Sequence, residues 1–480
     1  MSVQTLDRRD AVLFRSIGAV GLTRGIAVVL DGAAYIAVAR HLGPELYGYY
    51  LGYMALAALL DFAADMAVVD ITVREIATEP RAANTWLFAS TVLRLAIASL
   101  FILAFAAYVY AGRSTSPPDV LNSAWIVALV LPAGALRMPL AVFRACQQLQ
   151  YELVATIAAR ATNLLLVLLA IQAGAGIAPF FVAAVFSRFL LAGLAWAIGL
   201  RRSGLSLSPA HFSGAAVRKL IRESIPMAVS GLFVSLQLRG DILMVARIID
   251  AHAAGIYGVV ASLPEYFLLV PVIITTPVLP LLSQAFAAAA TDAFSRLYRA
   301  LVSVLTAAIV PVAIIGALMP ERIVSLLFGP DYVEAAGLLP WLLASIVCMW
   351  ISHATAIATV AIGWQRAFIW IQSICLLAFV GLNLLLIPLW GLVGAALARL
   401  VATLIAPVLT HWVVKRQTGA GFDGRALGQV AISALALGLA VMALQPAGQV
   451  FAAAVGIVLY VGGLWATGFV QHALPELKER

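Results

Sequence analysis

The sequence predicts an all-α polytopic membrane protein with about fourteen transmembrane helices. Three observations carry this. Of 480 residues, 63% are hydrophobic and only 11% are charged, with a mean hydropathy of +1.03. A soluble domain carries roughly 25% charged residues, and no soluble core could hide so much apolar surface. Fourteen apolar stretches reach the length of roughly 20 residues that a spanning helix needs. The basic residues also fall on alternate inter-span segments, as a fixed membrane topology requires.

In order, the spans run 13–39, 49–73, 85–112 and 120–144, then 153–173, 177–200, 219–248 and 258–286. The remaining six run 297–319, 334–362, 367–387, 392–414, 425–444 and 450–471. Pro132 and Pro139 are expected to bend the fourth span, and Pro264, Pro271, Pro277 and Pro280 the eighth. The polar N-terminus, Met1 to Asp10, lacks an apolar stretch followed by a small-residue cleavage site, so no removable signal peptide is expected.

With fourteen spans, both termini share one side. That side receives Arg8, Arg9, Arg15, Arg74, Arg81, Arg144, the run from Arg201 to Arg222, and the later loop and tail cations, 19 of the 30 basic residues in all. The opposite side receives four, Arg40, Arg113, Arg247 and Arg322. This bias places the termini in the cytoplasm. The net charge of +8 is thereby spent on topology, and no nucleic-acid partner is expected.

Seven arginines complete the 30: Arg24, Arg94, Arg137, Arg160, Arg188, Arg239 and Arg399, all within apolar stretches. An arginine at a bilayer centre costs about 2.5–3.5 kcal/mol on insertion scales. A shared, water-filled, positively charged cavity between helices is the cheaper arrangement, and it suits a large anionic passenger. Arg24, Arg188 and Arg239 are placed nearest mid-span; Arg94 and Arg399 are placed closer to span ends.

The three cysteines, Cys146, Cys348 and Cys375, show no metal-ligand or disulfide spacing, so no metal and no cofactor are expected. No catalytic residue is assigned either: no nucleophile–base pair and no sizeable extracytoplasmic loop is present, so an enzyme is not expected. The absence of a GxxxxGK[ST] motif removes direct coupling to a nucleotide triphosphate.

An internal repeat links the halves. The first span ends Ala39-Arg40 and, after a short turn, meets Tyr47-Gly48. The seventh ends Ala246-Arg247 and, with three more residues, meets Tyr257-Gly258. Six intervening spans keep the copies parallel, a plan in which substrate binds between repeats.

At these residues the chain resembles the polysaccharide flippases of the multidrug/oligosaccharidyl-lipid/polysaccharide exporter superfamily, closest to the O-antigen and exopolysaccharide repeat-unit flippases. The matching residues are Arg40-His-Leu-Gly43-Pro44-Glu45-Leu-Tyr47-Gly48, Arg74-Glu75-Ile-Ala77, Asp241 and Gly255-Ile-Tyr257-Gly258, then Leu327-Phe328-Gly329-Pro-Asp-Tyr332 and Gly391-Leu-Val-Gly394. The resemblance implies a bacterial inner-membrane protein that moves a polyprenyl-diphosphate-linked glycan outward by alternating access between two six-helix lobes. The expected organisation is an N-terminal lobe at 1–200, a cytoplasmic linker at 201–218 and a C-terminal lobe at 219–415, with accessory spans at 425–471 and a cytoplasmic tail at 472–480. Membrane lipids, the lipid-linked glycan, and a polysaccharide polymerase or glycosyltransferases are the expected partners.

Helical spacing arranges the embedded polar residues in stripes. Arg24, Asp31 and Tyr35 share a face of the first span, Asp61 and Asp65 one of the second, and Thr156, Arg160 and Asn163 one of the fifth. The cavity candidates that would grip a diphosphate are Arg24, Arg137, Arg160, Arg188, Arg239 and Arg399, because a guanidinium matches phosphate oxygens bidentately and stays charged. Asp31, Asp61, Asp65, Asp241 and Glu265 are the candidates for coupling to a proton or cation. Asp61 and Asp65, one turn apart, would repel if both were ionised. The competing reading is a cation-coupled multidrug or metabolite exporter of the same superfamily, which would favour an acid-dominated cavity.

Overall fold

The computed structural model describes residues 3–65, 67–113, 116–202, 204–469 and 471, with the side chains of 3–24, 226–230, 265 and 365–369 outside the description. Among the described residues the regular structure is helical, and the chain divides into two compact units, Met1–Ala246 and Arg247–Arg480. Among the described residues, ten helices are long and apolar enough to cross a membrane.

The first unit opens with α1 (Val3–Asp65) and α2 (Val68–Thr78), followed by α3 (Ala83–Ala111). α1 is two helices joined at a corner. Gly43 there takes φ 70, a conformation a side chain would strain, and Pro44 supplies a preset φ for the next helix. Tyr47, fully buried, packs the inside of that corner edge-on against Tyr35. α4 (Pro118–Val127), α5 (Val130–Ala135) and α6 (Pro139–Ala145) are one span in three pieces, broken around Pro132 and Pro139 as their missing N–H groups dictate. α7 (Leu149–Gln172) and α8 (Ile177–Arg202) pack on each other, and α7 also packs on α1.

The chain then runs through a 3₁₀ turn at Pro209–His211 into α9 (Gly214–Ile248). The segment before that turn is tacked onto the first unit. Leu205 is buried with Ile71, Ile76, Leu87 and Leu220, and the Ser206 N–H donates to Asn84 Oδ1 at 3.0 Å.

The second unit begins with α10 (Ala251–Ala261), whose first turn is capped by Asp250 accepting from the Ala253 N–H at 2.7 Å. The repeated Ala-Arg…Tyr-Gly corner is therefore turned in two ways: by Gly-Pro in the first copy, and by an N-cap aspartate with three extra residues in the second. Tyr257 is fully buried like Tyr47. α11 (Leu263–Phe267) and α12 (Leu269–Ala287) continue the same span, broken where Pro264 begins a new turn. α13 (Thr291–Leu318), α14 (Pro320–Phe328) and α15 (Leu339–Ala361) follow.

α16 (Gln365–Thr418) is again two helices, turned at Gly391 with φ 59. Gly394 lets the returning helix touch backbone, since a Cβ there would fall 2.0 Å from the Leu386 carbonyl oxygen. Divided at Gly43 and Gly391, α1 and α16 each supply two helices long enough to span a bilayer. The last two helices, α17 (Gly424–Leu444) and α18 (Gln449–Ala466), pack closely through small residues: Gly456 faces Leu437 and Val441, and Gly463 faces Ser433. Tyr460 fastens α18 to α13 by donating to the Ala307 carbonyl at 2.8 Å.

Candidate functional site

The first unit gathers its embedded charges around one carboxylate. Asp61, on α1 and nearly fully buried, meets guanidiniums from three other elements. Arg94 of α3 donates from Nη2 to Oδ1 at 3.3 Å, and Arg137, between α5 and α6, donates from Nη2 to Oδ2 at 2.9 Å. Arg188 of α8 brings Nη1 to 3.8 Å from the same Oδ2. Nearby, Arg160 of α7 pairs with Asp31 of α1 at 3.2 Å, and Arg188 also acts electrostatically on Asp31 and on Tyr50.

The three arginines on Asp61 differ in access, and the difference sorts their roles. The Arg94 side chain is 1% exposed, whereas Arg137 and Arg188 are 30% and 26% exposed. Arg94 is a fixed cation, further held by Asp65 at 3.8 Å and by Met138 Sδ at 3.7 Å. It lies on the N-terminal half of α3, and among the described residues it is the largest fully buried side chain. It also answers the expected repulsion between Asp61 and Asp65, because both carboxylates face its positive charge.

The break in the fourth span makes room for this arrangement. Gly134 lies so close to Asp61 that a Cβ would fall 1.9 Å from Oδ1 and 2.7 Å from Cγ. Arg137 Nε turns back onto the Gly134 carbonyl at 3.3 Å, and Trp196 of α8 donates from Nε1 to the Leu136 carbonyl at 2.9 Å. Carbonyls freed by the broken helix are thus satisfied by side chains. Sequence reasoning missed Gly134, since glycine is ordinary in membrane helices and only the approach of Asp61 distinguishes this one.

Four guanidiniums (Arg94, Arg137, Arg160, Arg188) face three carboxylates (Asp31, Asp61, Asp65), an excess of one positive charge. Arg239 of α9, partly buried, adds to the positive field felt by Arg188. Asn163, one turn beyond Arg160, keeps a buried Oδ1 with no hydrogen-bond partner among the described residues. Buried ion pairs of this kind add little net stability, because desolvation offsets attraction; they hold a specific arrangement of charge.

The other candidates lie elsewhere. Asp241 of α9 is fully buried, and its Oδ1 accepts from the Ile242 N–H at 2.9 Å. Arg399 belongs to the second unit, where it donates from Nη1 at 2.7 Å to the carbonyl of Ala261, the last residue of α10. A cation at a helix C-terminus satisfies an orphan carbonyl and complements the dipole. His353, also in the second unit, lies 3.1 Å from Thr275 Oγ1. The side chains of Arg24 and Glu265 lie outside the described residues.

Beyond the spans, Arg74 and Glu75 of α2 meet the start of α9. Glu75 accepts from Lys219 Nζ at 2.7 Å and from Arg74 at 2.7 Å, and Arg74 also pairs with Glu223. The Lys219 hydrogen bond, with Arg74 second, holds the Glu75 carboxyl below the usual carboxylate range.

Residues 14–286, more than half of the chain, match the family described as polysaccharide biosynthesis protein. No curated protein matches the sequence. Among solved structures, the lipid II flippase MurJ in an inward closed conformation has a TM-score of 0.73 at 13% identity, over 94% of this chain and 98% of that one. An inward-facing multidrug resistance MATE family transporter of the MOP superfamily gives 0.67 at 14% identity, over 82% and 95%. A MOP superfamily transporter from Pyrococcus furiosus, described as having a binding pocket of reverse polarity, gives 0.57 at 14% identity, over 84% and 95%.

Proposed function

The chain belongs to the polysaccharide biosynthesis protein family, and from that premise we propose that it flips a polyprenyl-diphosphate-linked oligosaccharide across the bacterial inner membrane by alternating access. The single observation that carries the reading is the gathering of Arg94, Arg137 and Arg188 on one carboxylate inside the first unit, with Arg160 and Arg239 beside them.

A diphosphate offers several oxygens and at least two negative charges. The partly exposed Arg137 and Arg188 are the groups that would grip it bidentately, in surroundings dry enough to make each contact strong. Asn163 would meet a sugar hydroxyl with its spare acceptor. The polyprenyl tail stays in lipid while the headgroup crosses, so the protein shields only the polar end. Asp31 and Asp65, each held by a guanidinium, and Asp241 remain the candidates for coupling the cycle to an ion. Both termini face the cytoplasm on this reading, where glycosyltransferases supply the cargo, and a polysaccharide polymerase receives it on the far side.

A cation-coupled multidrug exporter would use the same carboxylates to bind positively charged cargo. Asp31, Asp61 and Asp65 each already face an arginine, which leaves that role unfavoured.

The test is reconstitution into liposomes loaded with a fluorescent polyprenyl-diphosphate oligosaccharide, scoring headgroup access from one leaflet. The wild type should translocate it, and Arg137→Ala and Arg188→Ala should each lower the rate at least tenfold at equal protein abundance. Wild-type rates in both variants would overturn the reading.

A further inference from the structure

Resting on the flippase reading, we infer that Asp61 is a built-in counter-anion that occupies the cargo phosphate's place between trips and surrenders Arg137 and Arg188 when the diphosphate arrives. The geometry around Asp61 is lopsided. One carboxylate with two oxygens serves three guanidiniums, and Oδ2 alone is shared by Arg137 at 2.9 Å and Arg188 at 3.8 Å. The longer contact lies outside hydrogen-bond range, so Arg188 is held in the field of Asp61 without being saturated by it. Oδ1 points the other way, to Arg94, which solvent does not reach.

One carboxylate oxygen is therefore tied to a fixed cation, and the other offers itself to two accessible ones. A phosphate oxygen and a carboxylate oxygen compete for the same N–H fork. The site is built around this competitor: the missing Cβ of Gly134 is what admits the Asp61 carboxylate to the α5 backbone, where Arg137 is anchored by the Gly134 carbonyl.

The charged groups around Asp61 come from three other elements and its own helix: Arg94 from α3, Arg137 from the α5–α6 break, Arg188 from α8, and Asp65 on α1, which also faces Arg94. Three cations to two carboxylates leave the empty site attractive to an anion, while Asp61 keeps that attraction from becoming a trap. Without an internal competitor, two arginines in a dry site would hold a diphosphate too long for rapid release. Asp61 thus sets affinity against turnover, and it is a positioning residue for the arginines rather than a ligand of the cargo.

The experiment measures farnesyl diphosphate binding by calorimetry, on protein in nanodiscs, alongside headgroup turnover in liposomes, for the wild type and Asp61→Asn. The amide keeps the shape and removes the charge. Expected is a Kd lowered roughly tenfold to a hundredfold, the equivalent of one or two charge-assisted hydrogen bonds released to the ligand, with a lower maximal rate. If Asp61→Asn does not fold, the double variant Arg94→Met with Asp61→Asn, which also removes the buried cation left without its partner, carries the test with the same expectation. Equal affinity in wild type and variant overturns this inference and leaves the flippase reading standing, as does weaker binding. Lost transport with unchanged affinity assigns Asp61 to ion coupling and overturns it as well. Absence of diphosphate binding in both proteins overturns the flippase reading and the inference together.

Discussion

Replacing Gly134 by alanine puts one methyl group into the most crowded point of the charge cluster. The new Cβ would lie 1.9 Å from Asp61 Oδ1, 2.7 Å from Cγ and 3.0 Å from Oδ2. A relaxed carbon–oxygen contact needs about 3.4 Å, so roughly 1.5 Å must be found. The α5 backbone cannot easily supply it, because Trp196 holds the Leu136 carbonyl at 2.9 Å. The carboxylate must therefore move, and a shift of that size takes Oδ2 out of hydrogen-bond range of Arg137, now at 2.9 Å. Losing a charge-assisted hydrogen bond costs about 1.5–3 kcal/mol, and loosening the buried pair with Arg94 raises that toward about 3–5 kcal/mol. The assay is thermal unfolding in detergent together with liposome transport. Gly134→Ala should lower both, and Gly193→Ala on α8, where a Cβ would meet nothing within 4 Å, serves as the neutral control. A Gly134→Ala protein with wild-type unfolding temperature and wild-type transport would refute the close packing of Asp61 on α5.

Three further outcomes follow. Gly394→Ala would drive a Cβ to 2.0 Å from a backbone oxygen that cannot rotate away, so the corner at Gly391 should open at a cost of about 1–3 kcal/mol or more, read as faster proteolysis between α16's two halves. Arg399→Met strips the Ala261 carbonyl of its donor and should destabilise the second unit by about 1–3 kcal/mol, measured by thermal unfolding. The Glu75 carboxyl titrates below its ordinary value near 4.5, so its contribution is fully present above that pH and disappears as pH falls through the lowered folded value. Wild type should thus exceed Glu75→Gln in unfolding temperature at neutral pH by a small margin, about 1 kcal/mol or less for a pair this accessible, and the gap should close in acid.

The corners of the fold are legible in the sequence because their chemistry is local. Gly43-Pro44 dictates a left-handed residue and a fresh helix start, Gly391 does the same between the eleventh and twelfth spans, and Pro139 and Pro264 each open a new helical piece in the fourth and eighth spans, whereas Pro271, Pro277 and Pro280 lie within the continuous α12. The embedded charges are legible as residue types. Their partners are not, because pairing depends on how helices distant in the chain meet: Asp31 faces Arg160, and Asp61 faces residues 33, 76 and 127 positions away. Lateral enclosure is not legible either: Arg94 is the most deeply enclosed charge of the cluster because α2, α5 and α6 close over α3, and the position of a residue along its own span says nothing of that. Gly134 carries no local signal at all.

The adjacency of Asp61 and Arg94 on consecutive spans bears on how the chain enters the bilayer. Either charge inserted singly would meet hydrocarbon at a cost of about 2.5–3.5 kcal/mol. Carried by neighbouring helices joined by a short segment, the two can zip together as a hairpin before lipid surrounds them, and so enter the bilayer as a nearly neutral pair. Arg137 and Arg188 emerge from the ribosome later and find an anion already waiting. The order of synthesis thus matches the order of enclosure, with the innermost cation assembled first and the more exposed ones last.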